Sequence, residues 1–203
     1  MKLKNNWDIF IKAGARLYSE GDFRAAVDNY EAALNEARAA ANNTENEARA
    51  LEGLGQCYTS MTEYGRAKDT YKELLRIKEA SCGPESIETL ETLIHLLVSL
   101  HKGGQSAEAM PVAQRVYQLG LKIFGPANIH MARVTHGIAR FLLDVGQAPD
   151  SESMFKYALQ ILSSNPDSQD LYKSAIVSDY ANALRSWGRA PEADQILVQF
   201  GLR

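Results

Sequence analysis

Apolar residues recur along this chain at the spacing of one face of a helix. Leu51, Leu54, Gly55 and Tyr58 occupy positions i, i+3, i+4 and i+7. Equivalent sets recur at Phe10, Ala13, Gly14 and Leu17; at Leu93, Leu96, Leu97 and Leu100; at Thr135, Ile138, Ala139 and Leu142; and at Val177, Tyr180, Ala181 and Leu184. Their third members lie at 14, 55, 97, 139 and 181, so the period is about 42 residues. The pattern predicts five helical repeats.

A second helical pattern follows each set after a short break. It opens with alanine or serine, and a small side chain at this place lets two helix axes approach closely. The second sets are Ala26, Tyr30, Ala33 and Leu34; Ala67, Tyr71, Leu74 and Leu75; Ala109, Ala113, Val116 and Tyr117; Ser151, Phe155, Ala158 and Leu159; and Ala193, Leu197 and Phe200. Each repeat is therefore predicted to be an antiparallel helix pair.

Turn-forming residues separate these patterns at matching places. Within the repeats a glycine that can end a helix stands at Gly21, Gly104, Gly146 and Gly188, and Thr62 replaces it in the second repeat. Pro149 and Pro191 follow in the first turn of the second helix. The repeats are separated by Gly83-Pro84, Gly125-Pro126 and Asn165-Pro166, and by a segment from Asn42 in which Thr44 and Glu47 have capping-box spacing.

These residues resemble a known family. Gly14-Ala-Arg-Leu-Tyr-Ser-Glu-Gly-Asp-Phe-Arg-Ala-Ala-Val and Leu54-Gly-Gln-Cys-Tyr are similar to tetratricopeptide repeats. The long period, with Cys82-Gly-Pro and Phe124-Gly-Pro at matching places, resembles the repeat of kinesin light chains. The resemblance implies an all-α, right-handed superhelical solenoid of five helix pairs. It implies a single domain over residues 1–203, with repeats at approximately 5–43, 44–84, 85–126, 127–166 and 167–203.

The resemblance also implies a function. Such solenoids bind partners on a concave groove lined by the first helix of each pair, so we expect a protein-interaction scaffold or adaptor. The first repeat begins by Trp7, which leaves no room for the heptad region of kinesin light chains. The chain is therefore more similar to bacterial kinesin-light-chain-like proteins. Some of those accompany bacterial tubulin homologues, so a tubulin-like filament is the partner that the resemblance implies.

The candidate partner-binding residues are those offset from the core positions of the first helices in the last three repeats. They are Ile94, His95, Val98, Lys102, Arg133, His136, Arg140, Asn182 and Arg185. Arginine binds carboxylates in a bidentate manner while apolar neighbours cover its stem, so we predict an acidic, partly apolar partner segment. The alternative, that these charges form an ordinary solvated surface, stays open.

Composition narrows the classes of partner and the compartment. The chain has 22 Lys and Arg against 25 Asp and Glu and a net charge of −3, which does not favour nucleic-acid binding. No stretch approaches the ~20 apolar residues of a transmembrane helix, whereas peripheral contact with a membrane stays open. Two cysteines without Cys-x-x-Cys spacing are typical of a reducing compartment, so a cytoplasmic location is predicted.

Catalytic and metal chemistry is not indicated. The four histidines are His95, His101, His130 and His136. His95 and His101 point roughly 120° apart on a helix, so we interpret the histidines as surface residues without a metal site. Cys57 precedes a core position and is predicted to be a small buried hydrophobe. Without a convergent catalytic set or a cofactor motif, the chain is not predicted to be an enzyme.

Two alternative functions remain. Helix-pair arrays usually finish with a polar cap, whereas this sequence stops at Arg203, directly after Ile196, Leu197 and Phe200. A structural protein that self-associates through an uncapped last repeat is therefore the first alternative. A regulatory subunit of an enzyme is the second.

Overall fold

The computed structural model describes residues 6–40, 43–165 and 172–202. These ranges contain ten α-helices, and no strand occurs among them. The helices are α1 (Trp7–Ser19), α2 (Phe23–Ala39), α3 (Thr44–Ser60), α4 (Tyr64–Ser81), α5 (Ile87–Lys102), α6 (Ser106–Phe124), α7 (Ile129–Asp144), α8 (Ala148–Ser164), α9 (Lys173–Ser186) and α10 (Ala190–Gln199). Each predicted repeat contains one pair. The all-α fold of repeated helix pairs is confirmed.

The turn inside each pair has one length and one conformation. Three residues connect the two helices of every pair, which favours antiparallel packing. The four predicted glycines adopt φ between 72° and 84° in these turns. Thr62 adopts φ of 61°, which a β-branched residue rarely does. The second repeat therefore keeps the same turn with a less suitable residue.

Two helix starts match the predicted prolines, and two others carry side-chain caps that were not predicted. Pro149 and Pro191 lie in the first turns of α8 and α10, as predicted. The side chains of Asp22 and Ser86 cap α2 and α5 by accepting a backbone N–H bond from three residues on, at 3.1 and 3.2 Å. The predicted Pro166 junction and Asn42 lie outside the described residues.

The capping box predicted at Thr44 and Glu47 is wrong. Helix α3 begins at Thr44 itself, and the side chain of the preceding Asn43 accepts a bond from the Asn46 side chain and caps no backbone N–H. Glu47 instead accepts a bond from Nε of Arg38 on α2 at 2.9 Å. An ion pair with the neighbouring helix therefore takes the carboxylate that a local cap would have used.

The chain forms two compact units, residues 1–112 and 113–203, and the boundary falls inside α6 next to Pro111. Consecutive helices pack against each other in unit 1 from α1 to α5. In unit 2, α7 packs on α8, α8 on α9, and α9 on α10. The first helices of neighbouring repeats also touch, α1 with α3 in unit 1 and α7 with α9 in unit 2.

The core of unit 1 depends on aromatic rings that fit against glycines. Tyr30 is buried and lies against Gly14 of its own repeat and Gly53 of the next. A Cβ atom at Gly53 would lie 2.4 Å from the Tyr30 ring. Gly55 has the same relation to Tyr71, with a distance of 2.6 Å. These first helices can approach the rings this closely only without a side chain at the glycines.

The core of unit 2 has alanine at the places of Gly14 and Gly55, and serine at the place of Ala26 and Ala67. The rings of Phe155 and Tyr180 stack with centroids 5.1 Å apart, next to Ala139 and Ala181. Ser151 is fully buried, and its hydroxyl donates to the carbonyl oxygen of Ala139 at 2.8 Å. A polar atom is tolerated at this helix crossing because it is hydrogen-bonded.

Candidate functional site

Three predicted arginines are exposed on α7 and α9 of unit 2. Arg133 lies over the ring of Tyr172, with its guanidinium carbon 4.0 Å from the ring centroid. Arg140 Nε lies 3.4 Å from Asp179 Oδ2. On the same unit, Arg185 donates to Asp194 Oδ1 at 3.0 Å. Each guanidinium is thus positioned by a neighbour and remains open to solvent.

His136 differs from the other three histidines because it is buried, with 8% of its surface exposed. Its Nε2 lies 2.9 Å from Oδ2 of Asp179, and its ring centroid is 6.1 Å from that of Phe155. An ionised carboxylate can only accept, so Nε2 of a neutral ring carries the proton and donates it. The interpretation as a surface histidine is wrong for His136, because a carboxylate one helix pair away pairs with its ring.

Burial determines the charge state of this ring. Loss of hydration lowers the pKa of His136, and the bond to Asp179 and its negative charge oppose that effect without reversing it. The imidazole is therefore neutral at neutral pH. Asp179 remains the acceptor that His136 and Arg140 share.

We give the name α7–α9 face to five residues of these two helices that are exposed or half-buried: Arg133, Arg140, Asp179, Asn182 and Arg185. Asn182 is exposed and lies three residues after Asp179 on α9, so the two are neighbours on the helix. Asp179 connects the two helices through its contacts with α7. The structure thus brings two predicted residues, Arg140 and His136, together at Asp179, whereas Arg133 contacts Tyr172 and Arg185 contacts Asp194.

The other predicted residues lie on α5 in unit 1. Ile94 is half-buried, Val98 is 39% exposed, and Lys102 is exposed at the last residue of the helix. His95 is exposed, and its ring stacks on Tyr71 with centroids 5.2 Å apart.

Acidic side chains surround this part of unit 1. Loss of hydration lowers the pKa of His95, against the pull of Glu52 on α3 and Glu91 on α5. The residue as a whole stays exposed, so solvent counteracts the effect. The surroundings of His95 are thus acidic, whereas the α7–α9 face carries three arginines.

Sequence reasoning missed two partners at the α7–α9 face. It assigned Arg133, His136 and Arg140 to the groove without identifying Asp179 and Tyr172 as their partners. His136 and Asp179 are 43 positions apart, one repeat plus one residue. A search for complementary side chains at this separation is the signal that would have found the pair.

The described residues contain no group of three or more His, Cys, Asp or Glu side chains placed to hold a metal ion. None of the helices found in these ranges combines the length and the apolar character needed to cross a membrane.

Comparison with solved structures places the chain among repeat proteins. Over 98% of its length it superposes on 95% of the nearly identical TPR-like repeats of a Podosopora anserina kinesin light chain, with a TM-score of 0.82 and 17% identity. The fold is that of the tetratricopeptide-like repeat proteins. The neighbours include kinesin-light-chain-like structures, so the resemblance indicated by the long period is confirmed.

Two further neighbours share this tetratricopeptide-like fold. BtubC (BKLC) from P. vanneervenii matches with a TM-score of 0.79 and 16% identity, over 93% of this chain and 75% of that one. YrrB, a TPR protein with an unusual peptide-binding site, matches with a TM-score of 0.59 and 19% identity, over 94% of this chain and 82% of that one. No family model matches the sequence, and no curated protein matches it significantly.

Proposed function

We propose that this chain is a protein-interaction scaffold that binds an acidic, partly apolar segment of another protein on the α7–α9 face. The observation that carries the proposal is the set of three guanidinium groups that are exposed yet held in place by neighbouring side chains. The likeness to YrrB, a fold neighbour with a peptide-binding site, supports it.

Exchange of partners at these arginines costs little energy. An exposed ion pair contributes only about 0–1 kcal/mol, so a carboxylate of a partner can replace Asp179 or Asp194 at small expense. Arg140 is best placed for this exchange, because His136 already bonds the oxygen of Asp179 that lies 3.4 Å from Arg140. A bidentate bond to a new carboxylate is stronger than that long contact.

Fluorescence anisotropy tests the proposal. The probe is a short labelled peptide in which glutamate alternates with leucine, and a peptide with lysine in place of glutamate is its counterpart. We expect the glutamate peptide to bind and the lysine peptide to bind at least tenfold more weakly. Combined alanine substitution of Arg133, Arg140 and Arg185 should weaken binding about tenfold or more, since exposed ion pairs contribute about 0–1 kcal/mol each and three are removed.

The matched control is Arg76→Ala, which removes an exposed arginine from α4 in unit 1. It should leave the affinity unchanged. If the triple variant binds the glutamate peptide as tightly as the parent does, the α7–α9 face is not the binding surface.

A tubulin-like filament is the specific partner that we propose for this scaffold. The fold likeness to BtubC (BKLC) supports it, together with the kinesin-light-chain character of the repeat. Co-sedimentation with polymerised bacterial tubulin homologues tests it. We expect the parent chain in the pellet and the triple arginine variant in the supernatant, and a parent chain that stays in the supernatant refutes this partner.

Self-association is the second candidate function. Val198 on α10 is 57% exposed beside an open depression bounded by Asp194, Gln195 and Gln199. Half-buried apolar side chains at Ile196, Leu197 and Phe200 adjoin Val198 in sequence, and contiguous exposed apolar surface favours contact with another molecule. Analytical ultracentrifugation over a range of concentrations tests it, because a mass that stays monomeric throughout excludes self-association.

A further inference from the structure

A second depression lies in unit 1, between the second helices α2 and α4. Its volume is about 280 Å³. Its apolar floor comes from Leu34 on α2 and from Leu51 and Leu54 on α3, all buried. Asn35 and Thr70 add polar atoms at its sides. We call this depression the α2–α4 slot.

One end of the slot is closed by an ion pair between the two helices. Arg66 on α4 donates to the hydroxyl of Tyr58 at 2.7 Å and to Oε1 of Glu31 on α2 at 3.4 Å. The Tyr58 hydroxyl donates in turn to the same Oε1 at 3.0 Å. Burial, together with Glu31, raises the pKa of Tyr58 to about 12, so the hydroxyl keeps its proton.

At the other end the ion pair is reversed, with the arginine on α2 and the glutamate on α4. Arg38 on α2 donates to Oε1 of Glu73 on α4 and to Oε1 of Glu47 on α3. Arg38 and Glu31 are seven residues apart on α2, which separates the two ends by about 10 Å. The slot is thus a mainly polar depression over buried leucines, with a carboxylate at each end.

The charge of the rim identifies the occupant. The charged residues that line the slot are Glu31, Glu73 and Arg38, a formal charge of −1, and Arg38 is already bonded to Glu73 and Glu47. Among the described residues, every hydrogen bond to Glu31 and Glu73 uses Oε1. Oε2 of each therefore remains able to accept a bond, and both side chains are nearly half exposed.

We propose that the α2–α4 slot binds an arginine or lysine side chain of a partner protein. The aliphatic stem of that side chain covers the leucine floor, and its cationic head bonds Oε2 of Glu31 or Glu73. A purely apolar side chain would leave these carboxylates without a new partner, and an anionic one would be repelled. The slot lies between second helices in unit 1, so this proposal is independent of the α7–α9 face.

NMR titration of the full-length, ¹⁵N-labelled chain tests the proposal. The probes are N-acetyl-arginine methylamide and its norleucine and aspartate counterparts. We expect saturable shifts from the arginine probe at amides beside the slot, weaker shifts from norleucine and none from aspartate. Glu31→Gln and Glu73→Gln should each weaken arginine binding about threefold, and about tenfold together, given the strength of exposed ion pairs.

The matched control is Glu20→Gln, which removes one exposed carboxylate from the end of α1 and should leave the affinity unchanged. A measurement on the parent chain alone guards against variants that fold poorly: arginine binding should weaken as salt is added. Absence of saturable shifts overturns the proposal. Norleucine binding equal to arginine binding, or insensitivity to salt, overturns the cationic occupant.

Discussion

Replacement of Gly55 by alanine tests the close contact between α3 and the ring of Tyr71. The new Cβ would lie 2.6 Å from Cε1 and Cζ of Tyr71, whereas ordinary contact begins at 3.4 Å. Tyr71 is 1% exposed, so its ring has no solvent to move into. Overpacking of this kind costs about 1–3 kcal/mol, and alanine recovers about 0.5–1 kcal/mol through its helix propensity. The difference spans about 0–2.5 kcal/mol, and a fully buried ring places this site in the upper half, so we expect a net loss of about 1–2.5 kcal/mol in the free energy of unfolding.

Urea denaturation followed by far-UV circular dichroism measures this loss. The matched control is Gly65→Ala on α4, where an added Cβ meets nothing within 4 Å, and it should not lower stability. In a Tyr71→Leu background the ring is gone, so Gly55→Ala should become neutral or stabilising. If Gly55→Ala unfolds at the same or a higher urea concentration than the parent, the contact does not limit the size of this residue.

Three other predictions concern the turn, the buried histidine and the thiols. Thr62→Gly should raise stability by about 0.5–1 kcal/mol in thermal melts, because glycine removes the strain of a positive φ, and a lower melting temperature would contradict this. The pKa of His136 is lowered in the folded chain, so as the pH falls the unfolded chain binds a proton at a higher pH than the folded chain does. The free energy of unfolding should therefore fall as the pH drops below about 6.5, and His136→Gln should flatten that dependence in urea titrations. A thiol reagent should modify the exposed Cys82 and spare the buried Cys57, because burial raises the pKa of Cys57 to about 11. Fast labelling of the Cys82→Ser variant, in which Cys57 is the remaining thiol, would refute this.

The periodic elements of the fold were predictable because each depends on local sequence. The helix pairs follow from apolar spacing, and the turns follow from glycine at Gly21, Gly104, Gly146 and Gly188. Thr62 was predicted to occupy the glycine position of its turn from its place in the repeat alone, and it adopts a positive φ as the glycines do. The buried state of Cys57 followed in the same way, from its position in a core helix.

The polar contacts were not predictable from local sequence, because they join residues in different repeats. Glu47 has capping-box spacing from Thr44, yet it pairs with Arg38, nine residues earlier on another helix. In the sequence, His136 lies at a position offset from the core, which predicts an exposed side chain. In the structure the ring is buried and bonds Asp179, which belongs to α9 of the next repeat. Which carboxylate reaches which cation depends on how the helices cross, and the apolar pattern does not encode that.

The ring of Tyr30 has a consequence for how such arrays can evolve. It is enclosed by Gly14 from its own repeat and Gly53 from the following one, so the two modules are matched in size across their junction. A tandem duplication of the first repeat would put Lys12 in the place of Gly53. Modules of this chain are therefore not interchangeable, and recombination between them would survive only with a compensating change at the aromatic position.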